Sequence, residues 1–209
     1  MKVMLLNGSP HEQGCSAEIL KILQERFHAA DIETEVFWIG TDPINGCTAC
    51  KACSALGRCR IDDGVNAFLD RMSGCDALAI ACPVHFASAP GSLISFLDRV
   101  FYTARLRREV FAGKPGTVIV TARRMGTTSA IDVLSKYITY MEMPLVSGRY
   151  WAAVHGQMPE EVREDKEGVQ TVRDIADNMI WLLRCIESGN AAGVKLPEKD
   201  ALPKTNFIR

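Results

Sequence analysis

The chain has 209 residues, 47% of them hydrophobic and 23% charged, with a formal net charge of -1. That length suits a single substantial hydrophobic core. A net charge this close to zero provides no global field to recruit nucleic acid or an anionic membrane, so neither is an expected partner. "MKVMLL" is too short for a signal-peptide core, and no apolar run approaches the length of a membrane span. A cytoplasmic location is expected, where eight cysteines serve as thiols or metal ligands rather than disulfides.

Apolar runs alternate with helical periodicity along the chain. "KVMLL" (2–6) is a continuous apolar run of the kind that forms a strand buried on both faces. The polar loop "NGSPHEQGC" follows, and then a helix from about Ser16 whose apolar stripe is Ile19, Leu20, Leu23 and Phe27. "ETEVFWI" (33–39) alternates as a strand does and leads directly into a cysteine-rich segment, 46–63. Residues 64–74 predict a helix, 76–83 a buried strand, 91–104 an amphipathic helix and 116–122 another buried strand. A helix over 129–143, a strand over 145–154 and a long helix over 168–189 complete the pattern. Such alternation predicts one α/β domain over 1–189, a five-stranded parallel sheet with helices on both faces. Periodicity ends after Gly189, so 190–209 is expected to be an extended tail packed on the body or on a partner subunit.

Open sheets of this type bind ligands outside the carboxyl ends of their strands, which directs attention to loops 7–15, 83–90 and 122–128. In the first, Gly8 and Gly14 allow the backbone to curl while Ser9, His11 and Ser16 offer polar contacts at a helix N-terminus, a natural anion cradle. The alternative is a plain polar turn with Ser16 as a helix cap. No Gly-Lys-[Ser/Thr] follows, and the G-x-G-x-x-G spacing is absent, which argues against nucleoside triphosphate and Rossmann sites. In the second loop, Pro83, Val84, His85 and Phe86 form a stiff, flat-sided segment suited to an aromatic ring system, with Ser88 as a polar neighbour. The alternative there is that Phe86 fills the core. Arg123 and Arg124 in the third loop either serve a ligand phosphate or an anionic ring, or are solvated surface.

Four cysteines, Cys47, Cys50, Cys53 and Cys59, are spaced C-x2-C-x2-C-x5-C. Four thiolates can wrap a [4Fe–4S] cubane or bind zinc tetrahedrally, and the crowding of three ligands favours the cubane. A loop of thiols without metal is the third reading. Cys82 and Cys185 fall in apolar elements and are expected in the core, Cys75 closes a helix, and Cys15 lies in the first loop.

"LLNGSPHEQGCS", "ACPVHFASAPGSLISFLDR" and "GKPGTVIVTARRMG" together resemble the NAD(P)H-dependent FMN reductase family of flavodoxin-like proteins, from Met1 to about residue 155. The cysteine spacing and the "DDG" that follows it resemble the iron–sulfur flavoprotein branch. That resemblance implies a flavodoxin-like three-layer sandwich and an FMN-dependent oxidoreductase. It implies Ser9, His11 and Ser16 at the FMN phosphate, and Pro83, Val84, His85 and Phe86 along the isoalloxazine. Ser88 would lie nearby and Arg123 would approach from the fourth strand. NADH or NADPH would be the electron donor, and a quinone, a free flavin or a ferredoxin-type partner would exchange electrons, within a homodimer or homotetramer. The chain departs from the family in two places: His11 stands where Arg is usual, removing a permanent charge, and His85 where Tyr is frequent. No side chain stands out as a general acid or base. The competing classes are a non-enzymatic redox or metal sensor built on the cysteine loop and a flavodoxin-like electron carrier. "FLDRVFYTARLRREVF" is a candidate oligomer interface, with a core role for Phe96, Val100 and Phe101 as the alternative.

Overall fold

In the computed structural model, which describes residues 1–201, 203 and 205, strand β1 (Lys2–Asn7) is buried along nearly all its length. Its side chains alternate between two cores: Met4 and Leu6 enter one, Val3 and Leu5 the other. β3 (Ala77–Pro83) and β4 (Gly116–Ala122) are buried in the same two-sided way. Strands apolar on both faces are stable only when both faces are covered, so each is followed by a helical crossover.

β2 (Glu33–Trp38) and the short β5 (Ala153–His155) form the edges of the sheet. Every pairing between these strands is parallel and the order is β2-β1-β3-β4-β5. The helices are α1 (Cys15–His28), α2 (Cys53–Leu56), α3 (Gly64–Ser73), α4 (Gly91–Ala104), α5 (Thr127–Tyr140), α6 (Pro159–Val162) and α7 (Lys166–Ala191). α1, α6 and α7 cover the face bearing Val3 and Leu5, while α3, α4 and α5 cover the other. The result is the expected five-stranded α/β three-layer fold. Strand order reverses between β1 and β3, because the chain leaves β1 for one side of the sheet and returns on the other.

Several sequence expectations are corrected. The strand expected over 145–154 pairs at Leu145 and again only at Ala153–His155. Between them "SGRY" leaves the sheet edge and brings Gly148 against α7, where an added Cβ would lie 3.0 Å from the Thr171 carbonyl oxygen. Cys185 is exposed rather than buried, because it follows Leu183 by two positions on α7 and so points away from the apolar stripe. Ser16 does not cap α1, since the N-cap is Gly14. Phe96, Val100 and Phe101 are buried in the core. The long helix continues to Ala191, past the expected boundary at 189. Beyond it, the Leu196 side chain lies over Gly113, and Lys199 Nζ pairs with Glu142 Oε2 at 3.0 Å. Tail residues 202, 204 and 206–209 lie outside the described residues. No described helix is long and apolar enough to cross a membrane.

Phe96 on α4 meets Phe37 and Phe68 at ring-centroid distances of 5.9 and 5.4 Å and is 1% exposed. This cluster joins β2, α3 and α4 beside the cysteine segment. Phe96→Ala should lower unfolding free energy by about 3–5 kcal/mol, read as a reduced urea midpoint. A midpoint equal to wild type would contradict this packing role.

Candidate functional site: a cleft at the strand ends and a cysteine loop

The carboxyl ends of β1, β3, β4 and β5 border a cleft of about 700 Å³. Its floor is the first loop, held in shape by its own side chains. Buried Asn7 accepts from the Ser9 N–H at 3.1 Å and donates to the Glu12 carbonyl at 3.0 Å. Ser9 Oγ accepts from the His11 N–H at 3.0 Å, and Trp38 Nε1 donates to the Ser9 carbonyl at 2.8 Å. These bonds turn the chain so that α1 starts at the cleft, with no side chain capping its first N–H groups. Orphan donors and the positive end of the helix dipole there favour an anion.

Two hydroxyls make the site more specific. Ser16 Oγ and Thr121 Oγ1 are buried without a hydrogen-bond partner, and both residues line the cleft. Polar atoms buried in this way are normally paired. Ser16 lies in the first turn of α1, where a seated anion would partner its hydroxyl, so the cleft suits the phosphate of a flavin nucleotide.

The second loop is a two-residue turn. His85 and Ser88 exchange backbone hydrogen bonds of 2.8 and 3.1 Å, and the central Phe86 and Ala87 have φ of 48° and 60°. Left-handed geometry at both positions is that of a type I′ turn, unusual for Phe and Ala, and is sustained by packing. The Val84 N–H donates to the Thr121 carbonyl at 2.9 Å, and Gly126 lies so close that a Cβ would meet Val84 and Ala87 at 2.8 Å. Phe86 at the turn's tip is fully exposed and does not fill the core. The cleft thus brings together Ser9, His11, Ser16, Pro83, Val84, His85 and Arg123, whereas Phe86 and Ser88 stand outside its walls.

Sequence reasoning missed Thr121 and the Gly156–Pro159 segment, which form part of the wall. The strand-end rule that selected the other loops would have selected this one too. It was hidden because the end of the interrupted edge strand is not apparent from its apolar pattern. His155, at that end, has Nε2 3.1 Å from the Arg124 carbonyl oxygen, and its backbone N–H donates to Asp165 Oδ2 at 2.7 Å. These contacts link the third and fourth loops. Burial in the core pushes the Cys82 thiol up to about 12, which leaves it protonated and inert.

The cysteine loop lies along α4. Cys47 and Cys50 are exposed, Cys59 is half-buried and Cys53 is buried. All four line one small cavity of about 20 Å³. Ala49 and Lys51, on either side of Cys50, have φ of 53° and 59°. Left-handed residues alternating along a loop turn backbone N–H groups inward, a geometry found around anions and iron–sulfur centres. The Ala52 N–H, and secondarily the Thr48 hydroxyl, hold the Cys50 thiol below its ordinary value. Asn66 pins the far end of the loop, accepting from the Cys59 N–H at 2.9 Å and donating to the Cys59 carbonyl at 3.0 Å. Among the described residues, no three His, Cys, Asp or Glu side chains already stand together as a metal-ligand set. The donor chemistry and the backbone turn suit a thiolate-bound metal, while the described side-chain positions leave the ligands to converge on binding.

Residues 1–157 match the family described as NADPH-dependent FMN reductase. An iron-sulfur flavoprotein of Methanocaldococcus jannaschii is 25% identical over 196 residues, covering 90% of this chain and 100% of the relative. An iron-sulfur flavoprotein of Methanosarcina thermophila is 27% identical over 203 residues, covering 90% and 97%. Among solved structures, RosB with a bound 8-demethyl-8-formylriboflavin-5'-phosphate intermediate superposes with a TM-score of 0.69 at 14% identity, over 100% of this chain and 92% of RosB. The chain belongs to the NADPH-dependent FMN reductase family, and its class of activity is FMN-dependent oxidoreduction.

The unequal environments of the two loop serines lead to opposite expectations for the ligand-free protein. Ser9→Ala removes an acceptor that organises the turn and should lower stability by about 1 kcal/mol. Ser16→Ala removes a buried hydroxyl without a partner and should leave stability unchanged or slightly raised. Thermal denaturation of both variants without ligand checks the contrast, and equal losses would refute it.

Proposed function

We propose that the protein binds FMN in the strand-end cleft and uses NADH or NADPH as electron donor. Its acceptor is a small molecule such as a quinone or free flavin, or a ferredoxin-type carrier. The observation that carries this reading is the pair of buried, unpartnered hydroxyls that line the cleft, Ser16 Oγ in the uncapped first turn of α1 and Thr121 Oγ1 near the end of β4. In this assignment, Ser9, Ser16, Thr121 and the first N–H groups of α1 hold the phosphate, with His11 at the rim. Pro83, Val84 and His85 line the ring, and Phe86 and Ser88 form the adjoining turn. Arg123 contributes a positive charge that suits an anionic ring or the phosphates of a pyridine nucleotide. FMN, when bound, supplies the hydride and electron transfer. The chain's part is to position the donor and acceptor, limit water and set the electrostatics of the cleft.

The cysteine loop is assigned to a [4Fe–4S] cluster held by Cys47, Cys50, Cys53 and Cys59. The ligand spacing, the left-handed residues on either side of Cys50 and the iron–sulfur names of relatives that span nearly the whole chain support this. The proposed assembly is a cytoplasmic homodimer or homotetramer. A second reading, a thiol-based redox sensor, is favoured by one observation, the exposed Cys50 with its lowered thiol pKa.

Ser16→Ala should raise the dissociation constant for FMN by about tenfold to a hundredfold, the value of a hydrogen bond to a charged group. Fluorescence-quenching titration of the apoprotein measures it, and an unchanged constant would remove the phosphate assignment. Protein purified without oxygen should carry about four irons per chain with matching acid-labile sulfide. Flavin bands without iron would leave an FMN reductase whose cysteines are thiols.

A further inference from the structure

Two arginines, Arg99 in the second half of α4 and Arg105 at its C-cap, aim N–H groups at cysteine sulfurs. Arg99 is 1% exposed and forks onto Asp63, with distances of 2.5 Å to Oδ2 and 2.9 Å to Oδ1. It also donates to the carbonyls of Asn45 at 3.4 Å and Ile61 at 3.2 Å, and its Nη2 donates to Cys59 Sγ at 3.3 Å. Arg105 Nη1 donates to Cys53 Sγ at 3.4 Å and Nη2 to Ser54 Oγ at 2.9 Å. The Arg105 guanidinium also bonds the Tyr102 carbonyl and lies 3.8 Å from the centre of the Tyr102 ring.

These contacts divide the cysteines into two kinds. Cys53 and Cys59 are sheltered and each receives a guanidinium N–H, whereas Cys47 and Cys50 face solvent. A salt bridge with Asp63 would have been enough to neutralise Arg99. Its Nη groups also reach both ends of the loop and a sulfur, while its Nε is buried without a partner. A protonated thiol is a weak acceptor, while a thiolate or metal-bound sulfur is a strong one for a charged planar donor. Arginine keeps its charge under any physiological condition, so its side of the interaction is permanent.

We propose that Arg99 and Arg105 form a two-point clasp on α4 that holds the sulfurs of Cys59 and Cys53 as the fixed half of a four-thiol metal receptor, which Cys47 and Cys50 complete from the solvent side. This rests on the reading of the cysteine loop as a metal site. The clasp lowers the conformational freedom to be lost when metal binds, as preorganised outer partners of metal ligands do. Hydrogen bonds to its sulfurs would also shift a bound iron–sulfur centre to a higher reduction potential. Both arginines are positioning residues.

The test uses the full chain, reconstituted without oxygen from equal amounts of ferrous and ferric iron with sulfide, and compares wild type with Arg105→Met and Arg105→Lys. These changes leave the buried Arg99–Asp63 pair intact, so the fold is retained. Arg105→Met should lose iron to a chelator about tenfold to a hundredfold faster. Its centre should also have a more negative midpoint potential, with Arg105→Lys intermediate in both. In metal-free protein, hydrogen exchange in peptides spanning 46–63 should be faster in Arg105→Met than in wild type.

Equal iron release and equal potential in wild type and Arg105→Met would overturn the clasp even if both bind iron. If wild type takes up no iron, the metal reading fails, and the exchange comparison decides the clasp by itself. Faster exchange in Arg105→Met then supports it as the loop's anchor, and equal exchange eliminates it.

Discussion

The constraint on which the rest of this structure depends is the burial of β1, β3 and β4 on both faces. Val3 and Leu5 pack toward α1 and α7, while Met4 and Leu6 pack toward α3 and α4. Neither layer of helices can be omitted without exposing a row of aliphatic side chains to water. With two layers to fill and parallel strands to join, the chain must cross to one side of β1 and then to the other. The cleft is a geometric result of that reversal: the loops after β1 and β3 diverge and leave space between them.

Within this rigid frame, the first loop combines satisfied and unsatisfied polar groups. The side chains of Asn7, Ser9 and Trp38 bond the backbone of Ser9, His11 and Glu12 and fix the curl of the loop. Ser16 and Thr121 are left without partners in the same small volume. A protein selected for stability alone would have an apolar or paired residue at each place. Retaining two orphan hydroxyls in one cleft, one at a helix N-terminus and one near a strand end, therefore suits ligand binding better than folding.

α4 connects the two functional regions physically. It begins just after the strained His85–Ser88 turn and ends at Arg105, which reaches the cysteine loop. Its buried face contributes Phe96 to the aromatic cluster with Phe37 and Phe68, which lies where β2 feeds into the cysteine segment. One helix therefore supports the His85–Ser88 turn at one end and the thiol loop at the other. A displacement of either end has to be absorbed by the same packed core.

By itself the sequence determined the layer architecture and the main loops. Continuous apolar runs of five to eight residues bounded by turn residues favour strands buried on both faces, and period-3.6 stripes favour helices lying on them. It also determined the anion-suited chemistry of 7–15 and the metal-suited spacing of the four cysteines, because both are local patterns. Only the tertiary structure decided the properties that depend on contacts distant in sequence. Thr121 and Gly156 join the cleft because separate strands end at the same level, and the excursion of 147–151 is set by how Gly148 meets α7. Phe86 is held out in solvent by packing between its turn and Gly126. Arg99 and Arg105 face cysteines some forty to fifty residues earlier in the chain, a pairing no local pattern records. Local periodicity specifies which surface of an element is apolar; what that surface meets is settled only when all the layers close together.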